Sequence, residues 1–148
     1  MMRLTPTALA VIALSLGAVT GCATPSAAQH HEATLAGPPS RVVELPTPSA
    51  GAGGPREVKV LVDEPALKLA SIVLRGGTVL PSHHSAVPVT IVALQGSGTV
   101  VAGAERLRLD ATHAVVLAPN IPHAVEPDPA TDLVLLVHHL GRGAEHHP

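Results

Sequence analysis

The chain has no phenylalanine, tryptophan or tyrosine among its 148 residues. A pocket built from it offers no aromatic ring on which a sugar or a base can stack, so its walls must be Val, Leu, Ile, Ala and Pro. Cysteine occurs once, at Cys22, so no intramolecular disulfide can form. Charge is scarce and nearly balanced, with 9 Lys and Arg against 11 Asp and Glu and a formal net charge of −2. Nucleic-acid binders carry a basic face, and this balance supplies none, so no nucleic-acid partner is expected. The chain also lacks a phosphate-binding glycine loop, a nucleophile elbow and any serine, histidine and acid at the spacing of a triad. It is rich instead in proline (15), glycine (13) and histidine (10).

The length allows one ordinary domain at most, and the first third does not read as part of it. Arg3 gives a positive start, and Ala8–Val19 is an apolar run too short to span a bilayer, which takes about 20 residues. The run ends in Val19-Thr20-Gly21-Cys22. This resembles the bacterial lipobox, in which a cysteine behind small residues is acylated and becomes the mature N-terminus. The resemblance implies a lipoprotein signal peptide over 1–21, lipidation at Cys22 and a lipid anchor to a membrane, with the protein exported and facing the periplasm. Ala23, where an Asp would signal inner-membrane retention, points to the outer membrane rather than the inner one. A free thiol would be a liability in an exported protein, which also favours acylation.

Residues 22–56 are dense in Ala, Pro, Ser and Gly and read as a flexible tether, with Arg41–Leu45 as a candidate edge strand. His30 and His31 lie in this tether and are expected to be solvated. From Glu57 the pattern changes. Val58, Val60 and Val62 alternate with Glu57, Lys59 and Asp63, Leu67, Leu69, Ser71 and Val73 with Lys68, Ala70, Ile72 and Leu74, and Leu107 and Leu109 with Arg106, Arg108 and Asp110. Period 2 with β-branched enrichment indicates strands. Further runs are Pro88–Leu94, Thr99–Ala102, Ala114–Leu117, His123–Val125 and Asp132–Leu140, separated by Gly and Pro turns, and no segment holds a helical period. The expected fold is all-β, a small double-sheet jelly-roll barrel over 57–141, with a tail at 142–148 in which His146 and His147 do nothing specific.

Gly77, His83 and Gly96 fall on the first motif of the cupins, G-x5-H-x-H-x3-4-E-x6-G. Ser85 stands at the second histidine of that motif and Val89 at its glutamate. The second motif, G-x5-P-x-G-x2-H-x3-N, is matched by His123, with Thr112, Ala118, Asn120 and Pro127 at its other four fixed positions. Asn at the turn is physically sensible because it tolerates positive φ. Over Gly77–Pro127 the chain therefore resembles a small single-domain cupin, which implies a double-stranded β-helix. Cupins often pair through an edge strand, so the resemblance also implies a homodimer.

Cupins gather three histidines and a glutamate as metal ligands, and residue by residue only His83 and His123 carry over. His84 is the substitute for the histidine lost at Ser85. Neighbours on a regular strand face opposite ways, so both enter one pocket only if the chain kinks, which Pro81 and Pro88 favour. The expected site is thus His83, His84 and His123, holding a divalent transition metal (Zn, Fe, Ni or Cu) with a coordination position open. Of His138 and His139 at most one can point inward on a regular strand, and His113 is expected to be a turn residue. Glu105, Asp110 and Glu126 form no general-acid pair.

Two functions follow: a metal-dependent, dioxygenase-like or hydrolase-like enzyme on a small apolar substrate, or a non-catalytic module that binds a metal ion or a small ligand in a degenerate cupin site. A metal-free isomerase acting on sugars is disfavoured by the missing aromatics. The alternatives turn on whether an open metal position lies beside a substrate-sized cavity. Whether the protein is an enzyme is left open by the sequence.

Overall fold

The computed structural model describes residues 35–45 and 53–141. The signal segment 1–21, Cys22, most of the tether and the tail at 142–148 lie outside the described residues, as do His30, His31, His146 and His147.

Nine strands and no helix make up the described part: β1 (Arg56–Asp63), β2 (Leu67–Leu74), β3 (Leu80–His83), β4 (Val89–Gln95), β5 (Gly98–Ala102), β6 (Glu105–Leu109), β7 (Val115–Leu117), β8 (His123–Pro127) and β9 (Leu133–Leu140). They form two antiparallel sheets, one ordered β1-β2-β9-β4-β7 and the other β3-β8-β5-β6. The sheets bury a single aliphatic layer between them, centred on Leu74, Ile91, Leu109, Val125, Leu133 and Leu135. With no ring available, Val and Leu at alternate positions fill the space, and the pleat fixes which of them face inward.

Three places depart from plain alternation. In β1 the pairing with β2 shifts between Val60 and Val62, leaving Leu61 as an extra residue. The bulge reverses the faces: Val58 and Val60 line the space between the sheets, whereas Val62 turns to the other side, beside Leu67 and Leu69. The valine row that looks continuous in sequence is therefore split between two faces. Strand β3 carries no alternation signal in Leu-Pro-Ser-His and forms because β8 offers it a partner. Arg41–Leu45, read as an edge strand, is not a strand. That segment is tied down differently. Glu64 takes an ion pair from Arg41 and accepts a hydrogen bond from the Ala36 N–H at 2.8 Å, while Pro38 and Val43 lie over Val62 and Leu67. Strand β1 thus remains at the margin of its sheet.

The end of the barrel remote from the motif histidines is closed by the β4–β5 turn. Gly96 there has φ 78°, and a Cβ at this position would meet the Asp132 carbonyl oxygen at 2.1 Å, so only glycine fits. Ser97 Oγ donates to the Asp128 carboxylate at 2.6 Å, and the Gly76 N–H donates to Asp132 at 2.8 Å. Both bonds clamp the turns of the two sheets together.

Candidate metal and ligand cavity

Strands β3 and β8 meet with Leu80 opposite Val125 and His83 opposite His123. Three residues on β3 span what two span on β8, so β3 carries one extra residue at Pro81–Ser82. That bulge brings both Leu80 and His83 to the inner face, although they are an odd number of residues apart. The irregularity expected from Pro81 is therefore present, but it acts before the histidine pair. His83 and Ser85 line the cavity, as the H-x-H spacing requires. His84, between them, is exposed and is not part of the cavity wall.

The cavity between the sheets has a volume of about 200 Å³. All four positions where cupins carry ligands reach it: His83, Ser85, Val89 and His123. Of the expected set His83, His84 and His123, the fold brings only His83 and His123 to the cavity, and two of the four family positions, Ser85 and Val89, cannot ligate as imidazole or carboxylate. The wall is otherwise aliphatic, from Val58 and Val60 on β1 through Ala70 and Ile72 on β2 to Leu135 and Val137 on β9. Val58 and Val60 keep 59% and 47% of their surface exposed, and His83 is exposed too, so the cavity meets solvent along β1 and β3.

The two motif imidazoles are held alike. His83 Nδ1 lies 2.9 Å from the Pro81 carbonyl oxygen, and His123 Nδ1 lies 2.9 Å from the Ile121 carbonyl oxygen. A carbonyl oxygen only accepts, so each Nδ1 carries the hydrogen and each neutral ring keeps its lone pair on Nε2. The ring centroids are 4.4 Å apart and the planes are tilted by 54°. His123 is buried, with 3% exposure. Burial pushes its pKa below the ordinary value, and the charges of His83 and His84 act in the same direction. The mouth is fixed from both motifs, since the Asn120 N–H donates to the Ser85 carbonyl oxygen at 2.6 Å. Asn120 holds φ 62°, the conformation expected at the family's turn glycine.

On a regular strand at most one of His138 and His139 points inward. The structure puts His139 in the cavity wall and His138 outside it. His139 sits between Lys68 of β2 and Val89 of β4 in the register of its sheet, so it stands beside the position where the family's glutamate is missing. Its Nδ1 is buried and has no hydrogen-bond partner among the described residues. Burial pushes its pKa down, and the Lys68 ammonium and the two motif histidines add to that. Lys68 itself lines the cavity, although in sequence it stands out only as a member of an alternating run. The signal that could have found it is its parity with Ala70 and Ile72.

The remaining candidates lie elsewhere. His113 closes a turn, 2.8 Å from Asp110 and 2.9 Å from Thr112 Oγ1. Hydrogen bonds from His113 and Thr112, with Arg108 beside them, hold the Asp110 carboxyl well below the usual range. Arg106 pairs with Glu126 at 2.7 Å, and Arg108 with Asp128 at 3.0 Å, on the outer face. Neither Glu105, Asp110 nor Glu126 lines the cavity.

The donor set fits a borderline transition metal in kind, because neutral imidazoles with free Nε2 lone pairs and carbonyl-bound Nδ1 hydrogens are what such an ion takes. It falls short in number. Among the described residues no three of His, Cys, Asp and Glu are gathered so as to hold a metal ion, where catalytic zinc sites use three protein ligands.

No family model matches the chain, and no curated protein matches it. Solved structures do. An RmlC-like cupin family protein with a double-stranded β-helix fold from Methanocaldococcus jannaschii is 19% identical with a TM-score of 0.59, over 72% of this chain and 95% of that one. A cupin superfamily protein from Desulfitobacterium hafniense is 12% identical with a TM-score of 0.56, over 68% and 98%. An RmlC-like cupin from Desulfovibrio desulfuricans is 21% identical with a TM-score of 0.53, over 66% and 96%. At these identities the likeness establishes the fold, and the fold is the cupin double-stranded β-helix expected from the two motifs.

Proposed function

For a chain with the cupin fold, we propose a non-catalytic binding module whose cavity takes a divalent transition-metal ion on His83 and His123 and a small organic molecule against its aliphatic wall. The observation that carries the metal is the matched pair of Nδ1 bonds to the Pro81 and Ile121 carbonyls, each 2.9 Å. They orient two Nε2 lone pairs without any help from a metal. Ser85 at the mouth offers a hydroxyl to water or ligand. A dioxygenase-like or hydrolase-like reaction asks for an ion held by a third protein ligand and for an acid or base beside it. Among the described residues no carboxylate lines this cavity. When bound, the ion supplies Lewis acidity. The chain's own residues hold it, shield it behind Val89 and Val125, and position what approaches along β1.

The lipobox reading adds an address. Acylation at Cys22 would carry the barrel at the periplasmic side of a membrane, with the outer membrane preferred.

The test is elemental analysis of the full chain, purified without a histidine tag, after loading with Zn, Fe, Ni or Cu and dialysis. His83→Ala and His123→Ala should each lose about one equivalent relative to the parent chain, and His84→Ala should retain it. Equal metal content in all four proteins would overturn the site. The same cells fed labelled palmitate should yield a labelled chain, and a Cys22→Ser chain without label.

A further inference from the structure

Four basic side chains, Lys68, His83, His123 and His139, line the cavity. In the five-stranded sheet, Lys68 faces His139 and His139 faces Val89, which puts the three in one row across β2, β9 and β4. On the opposite sheet His83 faces His123. All five side chains line the cavity. The next rows are apolar: Ala70, Val137 and Ile91, then Ile72 and Leu135. Among the described residues no Asp or Glu belongs to the wall. The carboxylate nearest by register is Asp63, opposite Lys68 on β1, which is exposed and outside the wall.

An apolar shaft crowned by one fixed positive charge and by imidazoles is complementary to one kind of molecule. We propose that the organic ligand is a small apolar monocarboxylate. Its carboxylate is held by the Lys68 ammonium beside the His139 imidazole, and its hydrocarbon lies against Ala70, Ile72, Leu135 and Val137. This rests on the reading of the cavity as a binding site and not on the metal.

Size and charge narrow the class. The volume is about 200 Å³. An apolar cavity of roughly 150 Å³ takes up benzene, so a chain of about six to eight carbons fits here. One lysine balances one negative charge, so a phosphate or dicarboxylate dianion would leave a charge buried without a partner. A bare alcohol of the same length gains the apolar contacts but leaves the ammonium with a weaker partner. With no Phe, Tyr or Trp in the protein and only aliphatic side chains along the shaft, a flat ring system has no large face to stack on there, which favours an aliphatic chain.

The experiment is calorimetric titration of the untagged full chain, metal-stripped with a chelator and then metal-loaded, with hexanoate, 1-hexanol and hexylamine as probes. In metal-stripped protein hexanoate should bind about tenfold or more tightly than 1-hexanol, as a charge-assisted bond implies, and hexylamine should not bind. Lys68→Met keeps the length and apolar stem of the side chain. It should bring hexanoate and hexanol to within about threefold of each other, with hexanol unchanged. His139→Leu should weaken hexanoate less than Lys68→Met does. Hexanoate and hexanol binding equally to the parent chain would overturn the proposal, and so would no binding by any probe. Hexanoate that binds only to metal-loaded protein, and equally in Lys68→Met, would overturn it too, since the carboxylate would then be a metal ligand. That last outcome leaves the His83–His123 metal site standing. Loss of metal in elemental analysis with hexanoate binding intact would do the opposite.

Discussion

Ile91 and Leu109 are both sealed from solvent, at 2% and 0% exposure, and both belong to the one aliphatic core. They differ in what lies behind them. Ile91 is part of the cavity wall, and Leu109 is not. Truncation to alanine removes three carbon groups in either case, a transfer loss of about 2.4 kcal/mol at roughly 0.8 kcal/mol each. At Leu109 the space left is enclosed, and the cavity cost adds to the transfer loss. Leu→Ala truncations in tight cores cost about 3–5 kcal/mol in total, so Leu109→Ala belongs in the upper part of that range. At Ile91 the new space joins a cavity of about 200 Å³ that already meets solvent along β1. Little enclosed void is created, so Ile91→Ala should cost about 2–3 kcal/mol. For a domain of this size each kcal/mol corresponds to a fall in Tm of about 4–8 °C. The assay is urea unfolding followed by far-ultraviolet circular dichroism, because a chain without Trp or Tyr has no useful intrinsic fluorescence. Ile91→Ala should also shift the preferred carboxylate from hexanoate towards octanoate. An Ile91→Ala chain as unstable as Leu109→Ala, with no change in chain-length preference, would refute the reasoning, since the space behind Ile91 would then be closed.

Two further outcomes follow from the same site. Burial holds the pKa values of His123 and His139 below the ordinary histidine value. The unfolded chain therefore takes up protons first as the pH falls past about 6.5, and stability should be level above that pH and decline below it, down to the depressed native pKa values. Urea unfolding of metal-free protein between pH 7.5 and 5 checks this. The decline should be shallower in His139→Leu, and stability that rises towards pH 5 would contradict the assignment of neutral rings. Val89→Glu returns a carboxylate to the wall, opposite His139. It should raise affinity for a loaded metal ion and abolish the preference for hexanoate over hexanol, because the glutamate itself neutralises Lys68. Metal affinity that stays level, with hexanoate still preferred, would show that Val89 does not face the ions.

Much of the fold was legible because alternation, glycine turns and the two cupin motifs agree. His83, Gly96 and His123 fall at motif spacing, and Asn120 is found at φ 62° where the motif has glycine. What was hidden is what bulges do. An extra residue leaves no mark on composition, yet Leu61 sends Val58 and Val60 inward and Val62 outward. The extra residue at Pro81–Ser82 likewise decides that His83 faces the cavity and His84 is left out of its wall. Pairing of β3 was also invisible, since Leu-Pro-Ser-His has no period and depends on β8 for its hydrogen bonds. Long-range register is set by partners far along the chain, and sequence periodicity reports only on near neighbours.

The same limit hides the role of Lys68. In sequence it is a polar residue in an alternating run, and such residues usually face water. On β2, however, Lys68 shares its parity with Ala70 and Ile72, and the large side chains Leu67 and Leu69 take the opposite face. The pattern by itself permits either face to be the core. Only the pairing of β2 with β9 decides it, by bringing Ile72 against Leu135 and Lys68 against His139. Its consequence reaches the chemistry. A cupin metal site with a glutamate carries one negative charge that offsets part of the ion's charge. Here Val89 removes that charge and Lys68 adds a positive one in the same row. Both changes move the cavity in one direction, away from a tightly held cation and towards a bound anion. The metal ion proposed on His83 and His123 would therefore gain from an anionic ligand beside it, and the proposed monocarboxylate would supply the missing charge. The ion and the carboxylate should bind with positive coupling: each raises the affinity of the other by the same factor.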